Sequence, residues 1–196
     1  EPTPGYVFLN ADYSQAELRI AAWEANEVTM LKLYREGQDI HAYTAATDLG
    51  VSLEEFYNLA QGVQDDKRSG AKVTNFGLIY EMWYKSYPAY AKSNYGIDVT
   101  EEEARVICDN FFKAYPKLKR WHAAKKEYAE QTGYIRALHG AIRRLPDVKS
   151  RESWAVRQAL RQSINSGVQR FASDMGLIAI QRIVRDCDGD IIRAVG

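Results

Sequence analysis

Arg68, Lys72, Phe76 and Tyr80 follow one another at four-residue steps. On an α-helix, residues four apart stack on one face. The stretch Lys67–Tyr80 therefore carries a stripe with two cations at its start and two aromatic rings at its end. Such a stripe can hold a polyphosphate at one end and stack a base at the other. A solvated helix edge beside a core edge would give the same spacing, so the stripe has to be weighed with its neighbours. Asp12 is a second candidate. It ends the apolar run Tyr6–Leu9 and precedes Ser14-Gln15-Ala16-Glu17, which fits a capping box. A carboxylate at such a strand-to-helix junction can share a Mg²⁺ ion with substrate phosphates, or can simply start a helix.

The elements around these residues read as follows. Residues 6–13 form a buried strand, and Leu18, Ala21, Ala22 and Ala25 continue it as a helix. Residues 36–132 are mostly helical, with breaks at Gly50, Gly62, Pro88, Gly96 and Pro116. Thr100 with Glu103 marks a strong helix start. Residues 134–138 and 141–145 flank His139-Gly140 as a tight hairpin. Helices follow over 151–163 and 168–185. Residues 186–189 then turn into a last strand, which is expected to pair with the Asp12 strand.

Composition narrows the classes. The 196 residues are 46% hydrophobic, enough for a substantial core. The 26 basic and 26 acidic side chains cancel, so nucleic-acid binding would have to rest on local patches. One such patch exists, because arginines crowd the stretch from Arg143 to Arg185. Cys108 and Cys187 are isolated and the three histidines are scattered, which speaks against a zinc site or a disulfide framework. No apolar run reaches membrane length, and the chain reads as soluble, intracellular and part of something longer.

The ordered set is more specific than any member of it. Asp12-Tyr13-Ser14-Gln15-Ala16-Glu17-Leu18-Arg19 resembles motif A of the A-family DNA polymerases, the bacterial polymerase I type. Asp39-Ile40-His41 resembles the histidine segment after it, and Arg68–Tyr80 resembles motif B on the finger helix. Thr132–Arg136 resembles the next palm hairpin. Arg161-Gln162-Ser163-Ile164-Asn165, with Gln169, resembles the helix that meets the primer-template.

The resemblance implies an α+β fold: a mostly helical fingers subdomain (37–131) inserted into a small antiparallel palm sheet (1–36 and 132–196). It implies template-directed transfer of a deoxynucleotide from dNTP to a primer 3′ hydroxyl. Two Mg²⁺ ions would be held through Asp12 and the carbonyl of Tyr13, with Asp12 and Lys72 as catalytic residues. Gln15, Glu17, His41, Arg68, Lys72, Phe76 and Tyr80 would meet the dNTP, and Arg161, Asn165 and Gln169 the duplex. A non-catalytic nucleotide or nucleic-acid binding module derived from a polymerase is the alternative. There are departures. Glu81 stands where the family has glycine, and Ser166–Phe171 differs from the usual run around Gln169, as in a divergent, phage-like member. The family's acidic motif C does not occur within the 196 residues and is expected beyond Gly196, so this stretch alone is not expected to polymerise DNA.

Overall fold

The computed structural model describes Pro2 and residues 4–186. Nine α-helices dominate these residues: α1 (Ala16–Glu24), α2 (Val28–Arg35), α3 (Ile40–Leu49), α4 (Leu53–Tyr57), α5 (Gln61–Ile79), α6 (Tyr87–Tyr95), α7 (Glu101–Ala114), α8 (Pro116–Thr132) and α9 (Ser153–Asp186). Between α8 and α9 lie β1 (Tyr134–Arg136), β2 (Ile142–Arg144) and a 3-10 turn, Pro146–Lys149. The two strands pair antiparallel, with Ile135 opposite Arg143. The fold is α+β and mostly helical, with a small antiparallel sheet.

Helix starts in the middle of the chain follow local chemistry. Thr100 and Glu103 close a capping box, as do Ser52 and Glu55. Pro116 sits in the first turn of α8, where its missing N–H costs nothing. Gly133 ends α8 with φ 75, a conformation that any residue with a Cβ adopts at a cost, and the chain turns there into β1. Gly62, expected as a break, lies inside the first turn of α5, where four N–H groups lack intrahelical partners anyway.

The main core gathers Leu18, Ile20 and Ala21 of α1, Met30 and Leu33 of α2, Ile40 of α3, Leu78 and Ile79 of α5, Phe111, Tyr115, Leu118 and Trp121 around the α7–α8 corner, and Ile164 and Val168 of α9. It draws on all three sequence segments. A smaller cluster seats the hairpin, with Ile135 and Leu145 against Ala129 and Ala159.

Buried carboxylates stitch these elements together. Glu27 is 2% exposed. Its Oε1 accepts from Thr29 N–H (3.2 Å) and its Oε2 from Lys117 N–H (2.7 Å), so one side chain caps the N-termini of both α2 and α8. Glu24 accepts from Trp121 Nε1 (3.2 Å) and pairs with Lys125 Nζ (2.7 Å), tying α1 to α8. Replacing Glu27 by alanine leaves two part-buried N–H groups without this acceptor. The expected loss is about 2–3 kcal/mol, read as a lower urea midpoint at unchanged slope. A change below about 0.5 kcal/mol would show that water replaces the carboxylate.

Three expectations are corrected. Residues 6–13 form no ladder: Val7, Phe8 and Leu9 are extended and 77–87% exposed. A strand is stable only beside another, and its expected partner, residues 190–196, lies outside the described residues. The second correction concerns 151–163 and 168–185, which are one helix, α9. Gly167 packs against Ile135, Lys125 and Glu24, and this packing overrides glycine's low helix propensity. Asp186 ends α9 rather than opening a turn. Finally, the hairpin is shorter than expected, with a five-residue connection from Ala137 to Ala141 closed by Ala137 N–H to Ala141 O (2.9 Å).

Candidate functional site

The four-residue stripe is real. α5 carries Arg68, Lys72 and Phe76 along its length, and Tyr80 is its C-terminal cap. The flanks of the stripe, with Ala71, Val73, Asn75, Leu78 and Ile79, are buried. That asymmetry orients the stripe outward, so core packing positions the candidate groups.

α3 packs beside α5 and supplies His41. Asp39 caps α3, with Oδ1 accepting from His41 N–H (2.8 Å) and Ala42 N–H (3.3 Å). Its Oδ2 takes both Nε (2.7 Å) and an Nη (2.6 Å) of Arg68. Partial burial works against charging Asp39. The Arg68 guanidinium and the two backbone N–H groups outweigh it and hold the carboxyl below its usual range. The pair locks the start of the stripe to α3. Lys72 is half-buried, and among the described residues no carboxylate pairs with it.

His41 is 2% exposed and 5.9 Å, ring to ring, from Phe76. Burial pushes its pKa down to about 4. Arg68 and Lys72 reinforce the shift against the pull of Asp39, so His41 is neutral at pH 7. Its Nδ1 lies 2.8 Å from Nδ2 of Asn75, whose Oδ1 is 3.0 Å from the Thr44 hydroxyl.

At the other end of the stripe, the Tyr80 hydroxyl donates to Glu17 Oε2 across the α1–α5 junction. Burial, then the bond to Glu17 and its charge, raises the Tyr80 pKa, so the phenol remains a donor. Glu17 therefore does not close the expected capping box. The N-cap of α1 is Gln15, half-buried at φ 57, and it has no side-chain cap bond. With the cap at Gln15, Glu17 falls at the second helical position rather than the third, and its carboxylate accepts from Tyr80 instead.

Arg161 and Asn165 of α9 join this end. With Phe76, Gly77, Tyr80, Trp83 and Tyr90 they line a cavity of about 340 Å³. Asn165 Oδ1 is buried and has no hydrogen-bond partner among the described residues. Gln169 is not part of this cavity. A step of eight residues rotates it by roughly 80° around the helix. It lines a separate groove of about 660 Å³ with Arg143, Arg144, Ser166 and Arg170. Asp12 and Tyr13 are exposed, and Tyr13 lines a pocket of about 410 Å³ with Met175, Ile178 and Arg182 of α9. No described contact joins Asp12 to the α3–α5 face.

Sequence reasoning missed Asn75, Thr44, Tyr115 and Trp83. Asn75 carried a signal: an amide on the apolar side of a helix needs a buried partner.

Glu81, the departure from the family pattern, follows Tyr80 at φ 57. Glu81 N–H to Leu78 O (3.0 Å) and Met82 N–H to Gly77 O (3.0 Å) form a Schellman cap with Glu81 at the left-handed position. Its carboxylate pairs with Lys126 of α8. Glycine relieves the backbone strain that alanine keeps, and both lose the ion pair. Glu81→Gly is therefore expected to be more stable than Glu81→Ala by about 1 kcal/mol. Equal melting curves would place the strain elsewhere.

The comparisons agree with this architecture. The family profile of DNA polymerase family A matches residues 1–193. The chain belongs to DNA polymerase family A. It is 31% identical over 185 residues to a DNA polymerase of Bacillus phage SP01, covering 93% of this chain and 19% of that protein. It is 33% identical over 179 residues to the thermostable DNA polymerase I of Thermus thermophilus, covering 91% and 20%. The chain thus spans about a fifth of the length of these relatives. Among solved structures, it resembles the POL domain of Pol1 from M. smegmatis, in complex with DNA primer-template and dNTP, with a TM-score of 0.74. At 23% identity, over 90% of this chain and 30% of that one, this likeness speaks for the fold.

Proposed function

We propose that this chain supplies the dNTP-binding face and part of the primer-template contact of a DNA-directed DNA polymerase, acting within a longer protein. The observation that carries the reading is one continuous face: His41, Arg68 and Lys72 at one end, Phe76 and Tyr80 with Arg161 and Asn165 at the other. Lys72 and Arg68 give charge-assisted bonds to a triphosphate, and His41 adds a neutral donor. Phe76 stacks beside the sugar and base. Glu17, fixed by Tyr80, fills the space beside C2′ and disfavours a ribose hydroxyl. Gln15 stands at the same α1 turn as a further dNTP contact. Arg161 and Asn165 offer donors to acceptors that every Watson–Crick pair shares in the minor groove, and so sense pair geometry rather than sequence. Gln169, with Arg143 and Arg144, follows the backbone farther along the duplex.

Phosphoryl transfer needs mainly positioning and charge neutralisation. Family A polymerases are metal-dependent, and two Mg²⁺ ions are the expected cofactors. Among the described residues no group of three or more His, Cys, Asp or Glu side chains could hold a metal. Asp12 with the Tyr13 carbonyl fits one carboxylate's share of a site completed by substrate phosphates. Bound there, Mg²⁺ would activate the primer hydroxyl and steady the leaving pyrophosphate. No helix among the described residues is long and apolar enough to cross a membrane.

The test is single-nucleotide extension by the protein that carries this chain, on four templates differing only in the templating base. Incorporation that follows the template supports the reading. Nucleotide binding without any template-dependent extension would favour the binding module.

A further inference from the structure

Beside the stripe, α5 carries a polar path into the core. Asn75 is fully buried, Thr44 is 1% exposed and Tyr115 is fully buried. Thr44 Oγ1 is the one hydrogen-bond partner of the Tyr115 hydroxyl among the described residues, at 2.9 Å. Thr44 already has acceptors for its one proton in Ile40 O and Asn75 Oδ1, so the Tyr115 hydroxyl is assigned as donor to Thr44. The Thr44 proton is directed at Asn75 Oδ1 (3.0 Å) and at the Ile40 carbonyl (2.9 Å). The Asn75 amide then points Nδ2–H at His41 Nδ1 (2.8 Å). Each group donates to the next, and such head-to-tail chains polarise one another in a low-dielectric interior. In this orientation of the Asn75 amide its nitrogen donates, and the imidazole nitrogen facing it is the bare acceptor. The remaining proton sits on Nε2.

We propose that Asn75 is a positioning residue: the chain Tyr115–Thr44–Asn75 holds His41 as its neutral Nε2–H tautomer, so that it meets a phosphate oxygen as an uncharged hydrogen-bond donor. The phosphate half of this statement rests on the triphosphate reading above; the tautomer half does not. The ionised groups facing His41 are Asp39 from the start of α3 and Arg68 and Lys72 from α5. From the α7–α8 corner it receives the Tyr115 hydroxyl, relayed through Thr44. With two cations already on the face, a neutral donor adds direction without adding like-charge repulsion. It also makes nucleotide affinity insensitive to proton concentration around neutrality.

The test uses the chain itself, ¹⁵N-labelled at histidine, with His41 assigned through its loss in His41→Gln. The expected spectrum shows bare Nδ1 and protonated Nε2, unchanged from pH 6 to pH 8. Thr44→Ser keeps the hydroxyl and is expected to keep that spectrum. Thr44→Val removes the donor to Asn75 and is expected to give mixed tautomers. Asn75→Asp offers only an acceptor, so the proton moves to Nδ1 and the ring titrates at higher pH. A Mg–dNTP titration is the functional arm. Wild type and Thr44→Ser should bind equally at pH 6 and pH 8, whereas Asn75→Asp should bind at least threefold tighter at pH 6, where the ring gains charge. If Asn75→Asp does not fold, the Thr44 pair decides the matter. An Nδ1–H proton in the wild type, or identical spectra for Thr44→Val and Thr44→Ser, overturns the proposal. An intact tautomer with no saturable dNTP binding overturns the phosphate role of His41 and the reading on which it rests.

Discussion

Lys72→Ala should lower kcat/KM for correct dNTP incorporation by about 10- to 150-fold while leaving primer-template affinity within about twofold. A charge-assisted hydrogen bond is worth about 1.5–3 kcal/mol, and each 1.36 kcal/mol is a factor of ten in rate. Lys72 is chosen over Arg68 for a structural reason. Arg68 is held by Asp39 through two bonds to one oxygen. Its removal would also free the α3 cap, mixing a stability loss with a binding loss. The Lys72 ammonium has no such partner among the described residues, so its loss reads on the ligand. Steady-state incorporation and a separate duplex titration distinguish the outcomes. A duplex affinity that falls as steeply as the rate would move Lys72 from the triphosphate to the DNA.

Glu17→Ala should relax discrimination against ribonucleotides by about 10- to 100-fold, the range in which a small steric difference in a pocket is felt. Sequence spacing alone left a rival, in which Glu17 completes a capping box and its loss costs only helix stability. In the structure the Ser14–Glu17 box is absent and Glu17 accepts from Tyr80. Removing Glu17 leaves a half-buried phenol without its acceptor, so some thermal destabilisation accompanies the change in selectivity. The two readouts separate cleanly. A lower melting temperature with unchanged dNTP/NTP selectivity would leave Glu17 a structural ligand of Tyr80. Tyr80→Phe should shift selectivity in the same direction but less, because the ring remains and only the bond that fixes Glu17 is lost.

Where the sequence was legible, one element both made and displayed the pattern. The α5 stripe, the Thr100 capping box and the α8–hairpin junction at Gly133 depend on residues within one or two helical turns. Their spacing therefore revealed them. A strand at residues 6–13 would need a remote partner, expected outside the described residues, and α9 depends on Gly167 being packed against α1, α8 and β1. Neither dependence is written locally. The site shows the same division. Arg68, Lys72, Phe76 and Tyr80 were visible at four-residue steps. The Asp39–Arg68 lock and the Tyr115–Thr44–Asn75–His41 chain join residues 29 to 71 positions apart and required the fold. The register of Gln169 is what spacing leaves open: four-residue steps drift around an α-helix, and it lines the arginine groove rather than the cavity of Arg161 and Asn165.

The central claim is that the α3–α5 face binds a nucleoside triphosphate. Backbone amide shifts of the ¹⁵N-labelled chain during a Mg–dATP titration test it most directly. Saturable shifts are expected at His41, Arg68, Lys72 and Phe76, weakened in Lys72→Ala and weaker for the monophosphate. Saturable shifts confined to the opposite cavity of about 530 Å³ between α3 and α7, around Asp48 and Val106, or none anywhere on α5, would contradict it.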